Sequence, residues 1–311
     1  MDLCDKKEIK ALLDRHGFRF SKSKGQNFLI APWVPRQTAE ASGAAPGVGV
    51  LEVGPGVGPL TEQLALRADR VVSVELDRTL LPVLEETLAH CPNAEIVEGD
   101  ILKTDLSALC RERLAGLTPV ACANLPYNIT TPAITSLLEA GCFRAVTVMI
   151  QKEVAQRICA APGSGEYGAF TLLCRYYADS ELLYDVPPSC FYPAPKVTSA
   201  VIRMTCRPEP PVPVGDRALF FRVVRSAFNQ RRKTLVNALS NLADKETVRQ
   251  AALACGLPET VRGERLSFED FAALTENIRE MTVGGKPANK KSSPKMDLTE
   301  KGYRTEKGVG R

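Results

Sequence analysis

Residues 50–56 read Val50-Leu51-Glu52-Val53-Gly54-Pro55-Gly56, and the reading of this stretch decides the fold. Val50 to Val53 predict a short buried strand. Gly54, Gly56 and Gly58 then predict a tight backbone turn. Leu60, Leu64 and Leu66 recur at near-helical spacing, so a helix follows. Strand, glycine turn and helix form the first half of a βαβ unit. In open α/β sheets ligands bind where such turns open at the carboxyl ends of the strands, and glycine lets the backbone come close to a ligand because it has no Cβ. The pattern departs from the dinucleotide fingerprint, since Pro59 stands where the third glycine belongs. Taken alone, the turn suits either a nucleotide-like ligand or a purely structural bend.

The strand ends that follow carry polar groups. Arg70 to Asp77 predicts a second buried strand ending in Glu75 and Asp77. Glu75 lies about twenty residues beyond the first glycine, where an acid can accept hydrogen bonds from both hydroxyls of a ribose. Asp77 reads as a helix N-terminal acid. Ala94 to Asp100 predicts a third strand. Asp100 at its end can bond the exocyclic amine of an adenine or serve as a turn residue. Val120 to Ala123 predicts a fourth strand that runs into Asn124-Leu125-Pro126-Tyr127, the most specific chemical signal in the chain. The Asn124 side-chain oxygen is an acceptor. Pro126 pushes Leu125 toward an extended conformation, so that the Leu125 carbonyl becomes a second acceptor. Tyr127 offers a flat face. Two acceptors and an aromatic face describe a pocket for a flat ring bearing an amino group. Phe191 is a candidate second stacking surface, or a core residue.

Composition sets the frame. The 311 residues have room for two domains. No run of about eighteen apolar residues predicts a membrane span, and the N-terminus lacks a signal peptide's apolar core. The ten cysteines form no C-x-x-C hook and sit mostly among apolar neighbours, so they read as core residues in a reducing cytoplasm. Two histidines are too few for a histidine metal cage or triad. The expected organisation is an α/β catalytic domain over residues 1–205, a proline-rich linker at 206–215, a helical domain at 216–283 and a disordered basic tail at 284–311. Net charge is +4, and the tail carries eight Lys/Arg against three Asp/Glu, which leaves about −1 elsewhere. Basicity in the folded part is therefore local. One patch is the Phe18–Leu29 arm with Lys22 and Lys24 among aromatics. The other is Arg225, Arg231, Arg232 and Lys233. Each reads as a nucleic-acid contact or a solvated face. Pro162 to Gly168 reads as a glycine-rich loop able to move. Asp216 and Ser267 read as starts of helices in the second domain.

Seven motifs taken in order resemble the ribosomal RNA adenine N6-dimethyltransferase family. They are Gly25-Gln26-Asn27-Phe28-Leu29, Glu52 to Gly56, Glu75-Leu76-Asp77, Glu98 to Leu102, Asn124 to Ile129, Gln151 to Ala155, and Phe191 to Val197 with its two prolines and lysine. The resemblance, from about Phe18 to Met281, is closest to the bacterial small-subunit branch. It implies a class I methyltransferase (Rossmann-like) sheet, mostly parallel with one antiparallel strand near an edge, plus a small helical domain. It implies S-adenosylmethionine as methyl donor and no metal, with donor contacts at Asn27, Leu29, Gly54, Glu75, Asp100 and Asn124. The glycine turn adds Gly56. The implied partner is small-subunit rRNA in a 30S precursor, bound by a cytoplasmic monomer. Asn124, Leu125, Tyr127 and Phe191 are then expected to hold a base turned out of its stack. Two other readings stay open: a large-subunit rRNA methyltransferase of the antibiotic-resistance kind, and an assembly factor that binds RNA without catalysis.

Overall fold

The structure is a computed structural model that describes residues 1–19 and 26–283. Lys22, Lys24 and the expected 284–311 tail lie outside the described residues. The chain divides into two compact units, one made of Met1–Ala160 with Leu173–Pro210, the other of Ala161–Leu172 with the chain from Pro211 onward. The later crossing falls inside the proline-rich 206–215 stretch. The earlier excursion, residues 161–172, has no counterpart in the sequence reading.

The first unit holds α1 (Lys6–Arg15), β1 (Phe28–Leu29), α2 (Trp33–Ala41), β2 (Val48–Val53), α3 (Pro59–Ala65), β3 (Arg70–Glu75), α4 (Leu81–Thr87), β4 (Ala94–Glu98), α5 (Leu106–Arg113), β5 (Thr118–Asn124), α6 (Thr130–Glu139), β6 (Ala145–Gln151) and α7 (Lys152–Ile158). It continues from within α8 (Ala169–Tyr177) through β7 (Ala178–Val186), β8 (Phe191–Tyr192) and β9 (Ser199–Cys206). Seven strands form one sheet in the order β4-β3-β2-β5-β6-β9-β7. All run parallel except β9, which is antiparallel to both neighbours. Every residue of β2 is buried, as a central parallel strand requires when helices cover both faces. After β2 the order turns outward through β3 and β4 on one side, while β5 and β6 extend the other. That reversal is the topological switch point, where a crevice opens at the strands' carboxyl ends.

Local chemistry explains the elements around that crevice. Pro59 occupies the first turn of α3, where its missing N–H costs nothing. Leu60 and Leu64 are buried under it, whereas Leu66, expected on the same face, is 71% exposed just past the helix end. Gly58 has φ +97°, and a Cβ there would sit 3.0 Å from Leu88, so this glycine serves packing against the region after α4. Asp77 caps the short 3₁₀ turn before α4 by accepting from the Thr79 amide, the role read from the sequence. Ile9, Leu12 and Leu13 of α1 join Phe18, Phe28, Leu80 and Leu84 in one apolar cluster. Phe18, read as part of a surface arm, is therefore buried. α5, β7 and the two short strands β1 and β8 were not expected from sequence.

The second unit contains α9 (Arg217–Asn229), α10 (Leu235–Ala238), α11 (Lys245–Ala254) and α12 (Phe268–Val283). Asp216 caps α9 through a 2.9 Å bond from the Leu219 amide. Ser267 and Asp270 form the reciprocal capping box expected at the start of α12, with the Ser267 amide donating to Asp270 at 2.8 Å and the Asp270 amide to Ser267 Oγ at 3.0 Å. Phe220, Phe268 and Phe271 are fully buried at its core. Residues 161–172 belong to this core. The Gly163 amide donates to the Glu264 carbonyl at 2.8 Å. Tyr167 is buried edge-on against Phe228, with its hydroxyl donating to the Leu266 carbonyl at 2.8 Å. The Pro162–Gly168 stretch, read as a loop able to move, is thus pinned at both the backbone and a buried tyrosine.

Candidate active site

A cavity of about 260 Å³ opens at the carboxyl ends of β2, β3, β4 and β5. Asn27, Leu29, Gly54, Gly56, Glu75, Asp100, Asn124, Leu125, Tyr127 and Phe191 all line it. The first unit therefore brings together every site residue read from sequence for donor and base. Gly54, Glu75, Asp100 and Asn124 come from the ends of β2, β3, β4 and β5 or the turns just after them, Leu125 and Tyr127 from the run after β5, and Asn27, Leu29 and Phe191 from the separate β1–β8 ribbon and its approach.

The glycine turn forms the floor. Gly56 has φ +63°, and a Cβ on it would come within 3.2 Å of Phe28 Cδ1. Glycine there accommodates the left-handed backbone and lets the Phe28 ring close on the turn, while Gly54, at φ +68°, has open space where a Cβ would be. Glu75 ends β3. Its carboxylate accepts from the Asp77 amide at 2.7 Å and also receives the amides of Gly56 and Leu76. These bonds hold the acid against the glycine turn while leaving it acceptor capacity. Burial raises its pKa, and the amide bonds act in the opposite direction. Asp100 accepts from the Leu102 amide at 3.0 Å, and Lys103 Nζ lies 3.3 Å from its other oxygen. It is thus a turn residue and a cavity residue at once.

The other wall is the Asn124–Tyr127 run. Asn124 Nδ2 donates to the Asn27 carbonyl at 3.4 Å, which turns the side-chain oxygen to the other side of the amide. The Leu125 amide donates to the Met149 carbonyl at 3.1 Å, tying the run to β6. Pro126 has φ −56° and ψ 134°, then Tyr127 begins a 3₁₀ turn. The Tyr127 hydroxyl is 2.7 Å from Ser199 Oγ, and burial pushes its pKa up. Phe191 pairs with Leu29 across the two-stranded β1–β8 ribbon and packs with Val34, Met149 and Val201.

Several cavity residues escaped the sequence reading. Leu76, 61% exposed, and Ile101 and Leu102 supply apolar walls. The available signal was position: Leu76 and Ile101 each directly follow a strand-end acid. Gln26 Nε2 donates to Asp77 Oδ2 at 2.8 Å, linking the segment that carries Asn27 to the end of β3. Glu52, which in sequence is part of the strand-and-glycine motif, is completely buried. One of its oxygens accepts from Thr61 and Ser73 hydroxyls at 2.6 Å each. Burial pushes its pKa up to about 7 against those two bonds, and the Glu75 charge adds to the rise. With Glu75, Asp77 and Asp100 on its lining, the cavity favours a ligand carrying positive charge.

The basic residues lie elsewhere in the chain. Lys22 and Lys24 are outside the described residues. Arg225, Arg231, Arg232 and Lys233 belong to the second unit. Arg232 and Lys233 are exposed and Arg225 half-buried on α9. Arg231 Nε pairs with Glu264 at 2.9 Å, and its Nη2 donates to the Ser164 carbonyl at 3.2 Å. Among the described residues no group of three or more His, Cys, Asp or Glu side chains is placed to hold a metal ion, and no helix is long and apolar enough to cross a membrane.

The description "Ribosomal RNA adenine dimethylase" matches residues 17–280 of this chain. The protein named Ribosomal RNA small subunit methyltransferase A from Geobacillus thermodenitrificans (strain NG80-2) is 46% identical over 284 residues, which is 89% of this chain and 97% of that protein. Its namesake from Clostridium perfringens (strain 13 / Type A) is 45% identical over 283 residues, 89% and 98% of the two chains. Among solved structures, 23S rRNA methyltransferase ErmE superposes with a TM-score of 0.63 at 28% identity, covering 81% of this chain and all of that one. A dimethyladenosine transferase from Plasmodium falciparum gives 0.68 at 22% identity, over 82% and 98%, a likeness of fold.

Proposed function

The chain belongs to the ribosomal RNA adenine dimethylase family, and from that premise we propose that it dimethylates N6 of two adjacent adenosines in the 3′-terminal hairpin loop of small-subunit rRNA, with S-adenosylmethionine as donor. It is a methyltransferase of the class I fold. The observation that carries the finer reading is the convergence of Glu75, Asp100, Asn124, Tyr127 and Phe191 on one cavity.

The residues fit the donor. Gly54 and Gly56 line the cavity, and at Gly54 the space where a Cβ would be is open. Glu75 sits at the strand end with acceptor capacity for ribose hydroxyls. Asp100, beside Ile101 and Leu102, suits the amino edge and face of an adenine. The carboxylates on the lining suit a cationic ligand. When bound, the donor supplies an electrophilic methyl group on a positively charged sulfur.

The chain's own residues then act on the acceptor base. Tyr127 and Phe191 stack against an adenine turned out of a loop, which costs less than extracting a paired base. The adenine amine is a poor nucleophile because its lone pair is delocalised into the ring. Hydrogen bonds from that amine to Asn124 Oδ1 and the Leu125 carbonyl favour a tetrahedral nitrogen and localise the lone pair. Asn27 contributes by holding the Asn124 amide in the accepting orientation. Alignment of the amine with the methyl group supplies much of the rate, and the displaced amine proton passes to water. The protein acts as a cytoplasmic monomer on a small-subunit precursor, with Arg225, Arg232 and Lys233 contacting phosphates.

The likeness to ErmE supports a second reading, methylation of large-subunit rRNA. The test uses labelled S-adenosylmethionine with unmethylated small subunits, large subunits and naked small-subunit rRNA, and identifies the product nucleoside. The expected product is N6,N6-dimethyladenosine on small subunits. Transfer to large-subunit rRNA alone selects the second reading. Binding without transfer to any acceptor overturns both.

A further inference from the structure

Ser199 is completely buried at the first position of β9, yet its hydroxyl reaches an aromatic wall of the cavity. It stands opposite Gln151 of β6 and Val186 of β7, so the backbone on both sides holds it in register. A buried serine in a strand flanked by Ala200, Val201 and Ile202 would pack better as an apolar residue, unless its hydroxyl has a partner. That hydroxyl lies 2.7 Å from the Tyr127 hydroxyl. The same stretch of chain begins with Phe191, the other aromatic wall, which is locked to Leu29 in the β1–β8 ribbon. Residues 191–199 therefore carry one wall at their start and anchor the second wall at their end. Pro193 and Pro195 restrict the backbone between them.

We infer that Ser199 is the positioning residue that fixes the Tyr127 ring relative to Phe191 and so sets the slot in which the acceptor base stacks. Ser199 does not line the cavity itself; it acts through Tyr127. The inference rests on the proposed adenosine substrate for its kinetic consequence, and on geometry alone for its structural one. Without the bond, the Tyr127 ring keeps its place in the chain but loses the tether at its far end. A base then meets a wall that must be ordered at each encounter. The loss falls on transfer to RNA and spares the donor, whose proposed contacts at Gly56, Glu75 and Asp100 come from the ends of β2, β3 and β4, away in the chain from the Tyr127–Ser199 bond.

The experiment compares Ser199→Ala, Ser199→Thr, Tyr127→Phe and the Ser199→Ala/Tyr127→Phe double variant in the full chain. Ser199→Ala is expected to lower kcat/KM for unmethylated small subunits roughly tenfold, of the order set by one neutral hydrogen bond. Donor affinity by calorimetry should stay within twofold. Ser199→Thr, which keeps the hydroxyl, should restore the rate. Tyr127→Phe should show a loss like that of Ser199→Ala, and the double variant no further loss, because the two changes delete one bond. Additive losses, or equal loss of donor affinity, would overturn the inference. Ring resonances of Tyr127 in tyrosine-labelled protein, assigned through Tyr127→Phe, give a readout independent of the substrate. They should move in Ser199→Ala and stay in Ser199→Thr. Unmoved resonances in Ser199→Ala would sink the inference whichever RNA is methylated, and an absence of transfer by the unaltered chain would count against the proposed function instead.

Discussion

Glu52 shows how a single side chain couples the site to the stability of the sheet. Its carboxyl keeps a proton to about pH 7 in the folded chain, against an ordinary value of 4.5, because burial disfavours its charge more than the two hydroxyl donors stabilise it. Between those values the folded state binds more protons than the unfolded state, so stability falls as pH rises through the window. The full offset is about 3 kcal/mol above pH 7. Glu75, also raised by burial, acts in the same direction. Asp5, Glu86 and Asp244 are shifted downward, so their contributions are lost below the ordinary carboxylate range, outside this window. Glu52→Gln removes the titration and keeps an acceptor for Thr61 and Ser73. Hydrogen exchange of β2 and β3 amides, without ligand, should show the unaltered chain losing roughly 1–3 kcal/mol more than the variant between pH 5 and pH 8. Equal losses would mean that Glu52 is ionised throughout. At this scale the sequence revealed acids by their position at strand ends, as for Glu75 and Asp100. It could not reveal the Tyr127–Ser199 and Gln26–Asp77 bonds, which join residues 72 and 51 positions apart through the fold.

Elements were legible where one physical signal dominated. β2 reads as a strand because both its faces are buried and its sequence is almost continuously apolar. The starts of α9 and α12 are visible because capping residues sit at fixed offsets from the first turn. β7 was missed for the opposite reason. It is an edge strand with exposed Asp179, Glu181 and Asp185, and a bulge between Leu182 and Tyr184 breaks its alternation. α5 was missed although its signals are present: an Asp105 cap and Leu106 with Cys110 at one-turn spacing on the buried face. Its short length left little periodicity to count. The caps themselves are testable. Asp216→Ala removes the side chain that accepts from the Leu219 amide and should destabilise α9 by about 1 kcal/mol, while Asp216→Asn should cost a few tenths. Exchange of the Leu219 amide should accelerate about fivefold in the alanine variant only. Equal acceleration in both variants would assign the effect to charge at the helix start rather than to the bond.

Across the whole molecule, charge is divided against itself. Residues 1–283 carry about −1 in total, and Glu75, Asp77 and Asp100 line the active-site cavity. That cavity suits a cationic donor and repels phosphates, so attraction to RNA has to come from local basic groups elsewhere. The sequence pointed to Arg225, Arg231, Arg232 and Lys233 as one cluster, but the structure gives its members different work. Arg231 is tied to Glu264 and to the Ser164 carbonyl, and so joins residues 161–172 to the rest of the helical unit. Arg232 and Lys233 are exposed. Each phosphate contact adds about 0.7–0.9 to the slope of log affinity against log salt. Arg232→Ala and Lys233→Ala should each lower that slope for small subunits by nearly one and leave thermal unfolding unchanged. Arg231→Ala should instead leave the slope almost intact and lower stability by about 0.5–1 kcal/mol, the scale of a half-exposed ion pair. If Arg231→Ala reduced the slope by a full contact with no change in melting, the Glu264 pair would have to open on RNA, and Arg231 would join the phosphate-binding face with its two neighbours.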